Sequence, residues 1–278
     1  MTRHAPTAGD TMIRQPAVAG QFYESSPSRL TRQVNEYLEA DAEKESAIGL
    51  VSPHAGLMYS GRVAGAVYSR IKIPRTFIML GPNHTGLGSP VSLMSSGAWH
   101  MPTGELKIDN SLAGKIKEYS EVITEDNLAH QMEHSLEVQL PFILQFSSDV
   151  SIVPVTMMPV SLDMCRVVGE ALSDAIKDSD YSVTIIASSD MSHYVSDSTA
   201  RKKDRKAIDR VIAMDPAGLY KTVRDEDISM CGVVPVTTML FAARKLGASE
   251  AALVKYMTSG EVSGDYDYVV GYAGIIVK

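Results

Sequence analysis

The chain has 278 residues, 45% of them hydrophobic and 21% charged, with a formal net charge of -7. That is enough chain for a large α/β core in a soluble globular protein. No Lys/Arg stripe with interleaved aromatics and no apolar run of membrane-spanning length occurs, so neither nucleic acid nor membrane is the expected partner.

Residues 1–12 lack the apolar core of a signal peptide and read as a loose terminus, with residues 13–278 as a single domain. Residues 28–41 carry helical spacing, with Leu30, Val34, Tyr37 and Leu38 on one face and Ser26-Pro27 as the start. Residues 48–52 read as a buried strand that runs into Pro53-His54-Ala55-Gly56. A helix over 61–71 follows, closely packed around Gly65 and ended by Pro74. A second strand over 76–80 runs into Gly81-Pro82-Asn83-His84, and 91–94 form a short third. The stretch 99–109, with Met101-Pro102-Thr103-Gly104, reads as turns, and Asn110–Tyr119 as a helix. Helical spacing over 128–146 would put His130, His134 and Glu137 on one face, with Pro141 as a kink or boundary.

Ser151–Met157 reads as a strand and 163–177 as a helix with Asp163 as candidate cap. The central strand 183–187 runs into Ser188-Ser189-Asp190-Met191-Ser192-His193. Residues 198–214 read as a long polar helix, and Asp215-Pro216 opens another to about 223. Met230-Cys231-Gly232 precedes a helix over 233–246 that Gly247 closes. Strands at 253–258 and Val269–Val277 fit an antiparallel pair. This alternation predicts an α/β fold, with a mixed, mostly parallel sheet and helices on both faces.

In open α/β sheets, ligands bind outside the carboxyl ends of strands. His54 and His84 stand at two such ends, and Cys231 at a helix start, where the helix dipole favours thiolate. Together they make a three-ligand metal site with positions open for water or substrate. Asp190 and His193 reach the same crevice as general base, orienting group or ligand. His134 is a site candidate; His130 is undecided, and His100 and His4 read as structural or exposed. The order His-Gln-Met-Glu-His departs from His-Glu-x-x-His, which excludes a zinc protease of that kind. Tyr23 and Tyr59 line a pocket as substrate-binding residues, or else pack in the core or at the rim. The two cysteines, Cys165 and Cys231, are too few for a disulfide framework and suit a reducing cytoplasm.

Ala19-Gly20-Gln21-Phe22-Tyr23, Pro53-His54-Ala55-Gly56, Gly81-Pro82-Asn83-His84, Glu133-His134-Ser135-Leu136-Glu137, Ser188-Ser189-Asp190-Met191-Ser192-His193 and Cys231-Gly232 occur in an order that resembles the Memo family, over about residues 17–277. That family is similar in fold to class III non-haem iron extradiol dioxygenases. The resemblance implies a single three-layer α/β/α domain and a redox metal, iron first and copper or zinc as alternatives. Carried over by motif, the ligands would be His54, His84 and Cys231, with His134, Asp190 and His193 in the same pocket. It also implies association of prokaryotic members with radical-SAM and AMMECR-type proteins. Extradiol dioxygenases use a carboxylate where this chain has Cys231, which departs from their ligand set. Three functions stay open: a metal-dependent oxidoreductase acting on a small molecule, a module that binds a peptide or protein through the old pocket, and a metal-assisted hydrolase.

Overall fold

Four apolar runs set the frame. Strands buried on both faces read as continuous hydrophobic stretches, because helices cover each side. The structure is a computed structural model and describes residues 12–278. His4 and all but the last residue of the loose terminus lie outside the described residues.

The chain enters as β1 (Ile13–Arg14), then α1 (Pro27–Asn35), β2 (Gly49–Ser52), α2 (Leu57–Ser69) and β3 (Thr76–Pro82). The strands β4 (Val91–Leu93), β5 (Ala98–Met101) and β6 (Gly104–Ile108), α3 (Asn110–Tyr119) and β7 (Thr124–Glu125) follow. After an irregular stretch come α4 (Leu140–Phe146), β8 (Ser151–Met157), α5 (Leu162–Lys177), β9 (Val183–Ser188) and β10 (His193–Val195). The chain closes with α6 (Asp197–Ile212), α7 (Pro216–Asp225), α8 (Val233–Lys245), β11 (Ala251–Thr258), α9 (Gly260–Ser263) and β12 (Val269–Val277).

The sheet runs β1-β5-β6-β8-β3-β9-β2-β12-β10, with β11 added to β12 and β4 to β8. β8, β3, β9 and β2 are mutually parallel, whereas β12 is antiparallel to both β2 and β11. Alternation sorts their side chains to two cores. In β3, Phe77 and Met79 join Leu30 and Val34 of α1, Tyr68 of α2 and Phe142 of α4. Ile78 and Leu80 join residues of α3, α5, α6, α7 and α8 on the other face. The result is the expected three-layer α/β/α arrangement. Among the described residues no helix is long and apolar enough to cross a membrane.

Three departures from the sequence reading have local causes. First, α1 stops at Asn35 because the chain turns to lie on α2. Glu39 N–H donates to Ser69 Oγ (2.8 Å), and a Cβ on Gly65 would sit 2.2 Å from the Tyr37 carbonyl oxygen. Second, the stretch read as turns is a β5–β6 hairpin with Pro102-Thr103 at its tip. Third, 128–146 is not one helix. Two 3₁₀ turns, Leu128–His130 and Glu137–Gln139, flank an irregular break before α4. Arg14 causes the break, donating to the carbonyls of His130 (2.9 Å) and Glu133 (2.7 Å). In a helix those carbonyls would accept from residues four positions on. The α5 cap also differs: Ser161 Oγ, not Asp163, accepts from Met164 N–H.

Candidate metal centre

β9 lies between β3 and β2, and all three point the same way. His54 follows the end of β2, His84 the end of β3, and Asp190 the end of β9, so one sheet edge collects all three. Cys231 arrives from the segment before α8, which packs beneath these strands. Gly232 makes that approach possible, since a Cβ there would lie 2.4 Å from the Ser188 carbonyl oxygen.

The ligand atoms of His54, His84 and Cys231 all lie within 4.8 Å of one another. Cys231 Sγ is 3.3 Å from His54 Nε2. A tetrahedral metal with ordinary Zn–N and Zn–S bonds separates its donors by roughly 3.3–3.6 Å. The set therefore fits a first-row metal after a closure of about an ångström, and two imidazoles with one thiolate suit zinc, copper or iron.

A second trio, His84, Glu133 and His134, is equally close. Hydrogen bonding already occupies it. Glu133 accepts from His84 N–H, from His84 Nδ1 (2.9 Å) and from Ser135 N–H (2.8 Å). The His84 and His134 rings are stacked 4.7 Å apart at 20°, so their in-plane lone pairs run side by side rather than converging. Burial would raise the Glu133 carboxyl, but the hydrogen bond and charge of His84 and the backbone N–H groups bring it down to about 2. An ionised Glu133 accepts a hydrogen bond from His84 Nδ1–H, which leaves the Nε2 lone pair as the ligand position.

His54 is 2% exposed. Burial, then the His84 and His134 imidazoles, push it well below its ordinary value. Its Nδ1 contacts Ser188 Oγ, and its N–H donates to Asp190 Oδ1 (2.8 Å). Ala55 N–H reaches the same oxygen at 3.3 Å. Asp190 thus holds the His54 loop, and its own N–H donates to Cys231 Sγ at 3.3 Å. Burial raises the Asp190 carboxyl, against the pull of these N–H groups. Burial, then the Asp190 charge, push the Cys231 thiol up, opposite in direction to the lowering expected from the α8 start.

His134 joins the site from the irregular break, not from a helix. Its ring lies 5.6 Å from that of His54 and 4.8 Å from that of Phe22, and burial lowers its pKa. His193 lies at the edge of the same charge cluster. Its Nδ1 contacts the Ser229 carbonyl (2.8 Å), which can only accept, so Nε2 carries the free lone pair. Tyr59 packs half-buried with Ala55, Val63, Val270 and Tyr272. The Tyr23 hydroxyl turns inward to Glu137, which also pairs with Arg14. His130 faces Trp99, outside the site, and among the described residues neither ring nitrogen has a partner. His100 is exposed. Sequence reasoning missed Glu133, Ser188 and Gln139. The first two sit inside quoted motifs, but the histidines they bond, His84 and His54, come from other motifs far away in the chain, whereas Gln139 lies in the stretch read as helical.

A family model described as Memo-like protein matches residues 14–276. The chain is 42% identical over 281 residues to a MEMO1 family protein of Methanopyrus kandleri, covering 96% of this chain and 99% of that one. It is 43% identical over 274 residues to a MEMO1 family protein of Methanothermobacter thermautotrophicus, covering 94% and 99%. A MEMO1 family protein of Methanococcoides burtonii is 43% identical over 268 residues, covering 96% and 100%.

Proposed function

The chain belongs to the family of Memo-like proteins, and we propose that it is a metal-binding redox protein of the cytoplasm that holds iron through His54, His84 and Cys231. Copper and zinc are the alternative metals. The observation that supports this most is the convergence of three donor atoms within 4.8 Å at one sheet edge. Bound there, such a metal supplies Lewis acidity, and iron or copper adds electron transfer.

The chain's own residues supply the rest. His193 Nε2 has a free lone pair, so it can take a proton from a small molecule in the crevice. Asp190 keeps Oδ1 on two backbone N–H groups, which leaves Oδ2 to face a ligand. His134 is held in the neutral form by burial and can donate or accept. Phe22 covers the His134 ring and limits water on that side.

Protein purified without oxygen or chelator should carry iron or copper by elemental mass spectrometry. His54→Ala and Cys231→Ala should lose it. Wild-type metal content in either variant would sink the assignment. A second reading, a protein-binding module, draws support from Tyr194. This residue is 75% exposed, has φ 57°, and adjoins His193. A bulky side chain in that conformation marks strain of the kind found at working surfaces. Recovery of a radical-SAM or AMMECR-type protein by the wild type but not by Tyr194→Ala would favour it.

A further inference from the structure

His54 can offer Nε2 to a metal only if its proton sits on Nδ1, and the neighbours of Ser188 decide where that proton sits. Ser188 Oγ has one hydrogen and three close polar atoms. These are His54 Nδ1 at 2.9 Å, Gln139 Nε2 at 2.9 Å and the Ser135 carbonyl at 2.7 Å. A carbonyl only accepts, and an amide nitrogen only donates. The Gln139 amide cannot turn over, because Nε2 also donates to the Pro53 carbonyl (2.9 Å) and Oε1 accepts from the Tyr68 hydroxyl (3.0 Å). The single Ser188 hydrogen therefore goes to Ser135. Its oxygen accepts from Gln139 and from His54.

We infer that Ser188 is a positioning residue for His54: it holds the imidazole as the Nδ1–H tautomer and so presents a bare Nε2 toward Cys231 before any metal arrives. The inference rests on the metal-binding reading and deepens it. Ser188, Gln139 and Tyr68 are fully buried, so water does not compete for these bonds. Removing the hydroxyl leaves a buried Nδ1–H with no acceptor, which is costly. The proton then moves to Nε2, where Cys231 Sγ at 3.3 Å accepts it, and the ligand nitrogen is blocked. Losing such a supporting partner lowers metal affinity by roughly 10–100-fold.

The test is a long-range proton–nitrogen correlation spectrum of the metal-free protein, paired with titration by Co(II) alone. The wild type should show His54 protonated on Nδ1. Ser188→Ala should show it protonated on Nε2 and bind Co(II) roughly 10–100-fold more weakly. Ser188→Thr keeps the hydroxyl and should restore both properties. Gln139→Met should keep the Nδ1–H signature, because the Ser188 hydrogen still goes to Ser135. The inference is overturned if the wild type is protonated on Nε2, if Ser188→Ala keeps Nδ1–H, or if Gln139→Met shifts the His54 proton to Nε2. The first and third of these need no Ser188→Ala protein, so they decide even if that variant misfolds. A wild type that binds no Co(II) yet shows the expected tautomers removes the metal reading and leaves the positioning of His54 standing.

Discussion

Glu133 does at His84 with charge what Ser188 does at His54 with a neutral hydroxyl. Its carboxylate is fully buried and, among the described residues, faces N–H groups and imidazoles rather than Lys or Arg. Glu133→Gln keeps an acceptor for the His84 ring but drops the negative charge. We expect metal affinity to fall about tenfold with the fold intact. Glu133→Ala should do worse, because it strands the buried Ser135 N–H at a cost of about 1–3 kcal/mol and also frees the part-buried His84 N–H. Metal titration and thermal melting of the two variants separate these effects. An affinity unchanged in Glu133→Gln would mean that acceptor geometry alone orients His84.

Among the elements, the break between the two 3₁₀ turns is decisive, since it carries Glu133 and His134 to the sheet edge. Arg14 imposes it from β1, by taking two carbonyls a helix would need and by pairing with buried Glu137. The Arg14 guanidinium also lies 4.2 Å from the centroid of the Trp99 ring. Arg14→Met leaves the Glu137 carboxylate buried without its counter-ion, and breaking such a pair costs about 3–5 kcal/mol. Chemical denaturation should show that loss, together with weaker metal binding through the displaced loop. A metal affinity that stays at wild-type level would show the loop holding itself. The α2 contact offers an independent check. Gly65→Ala puts a methyl 2.2 Å from a backbone oxygen, and overpacking of that kind costs about 1–3 kcal/mol. Gly65 is the ninth residue of α2, two turns along from the end that follows His54, so stability should fall while metal affinity holds.

Over the whole molecule, acid sensitivity follows from buried imidazoles. Burial, then the Arg14 charge, lower His130 from 6.5 to about 4. The unfolded chain therefore binds the proton first as pH falls, and stability is lost between pH 6.5 and 4. His130 alone should remove about 3 kcal/mol over that window. Comparing pH 7 with pH 4, the wild type should lose about that much more unfolding free energy than His130→Leu. Parallel profiles would refute the assignment. Glu133 acts in a lower window: its stabilisation is present above the ordinary carboxylate range and is lost as pH falls toward 2. The raised carboxyls of Asp190 and Asp204 work in the opposite sense. The sequence alone determined the alternation of elements, the antiparallel last pair, and the residues at which His54, His84 and Asp190 leave their strands. An apolar run must end where the chain leaves the sheet, and that boundary is written locally. Only the tertiary structure decided that β9 would stand between β3 and β2, that Arg14 would undo a helix more than a hundred residues away, and which nitrogen of each imidazole would be free. Strand order and hydrogen-bond direction depend on partners far apart in the chain, and no local pattern of residue types encodes them.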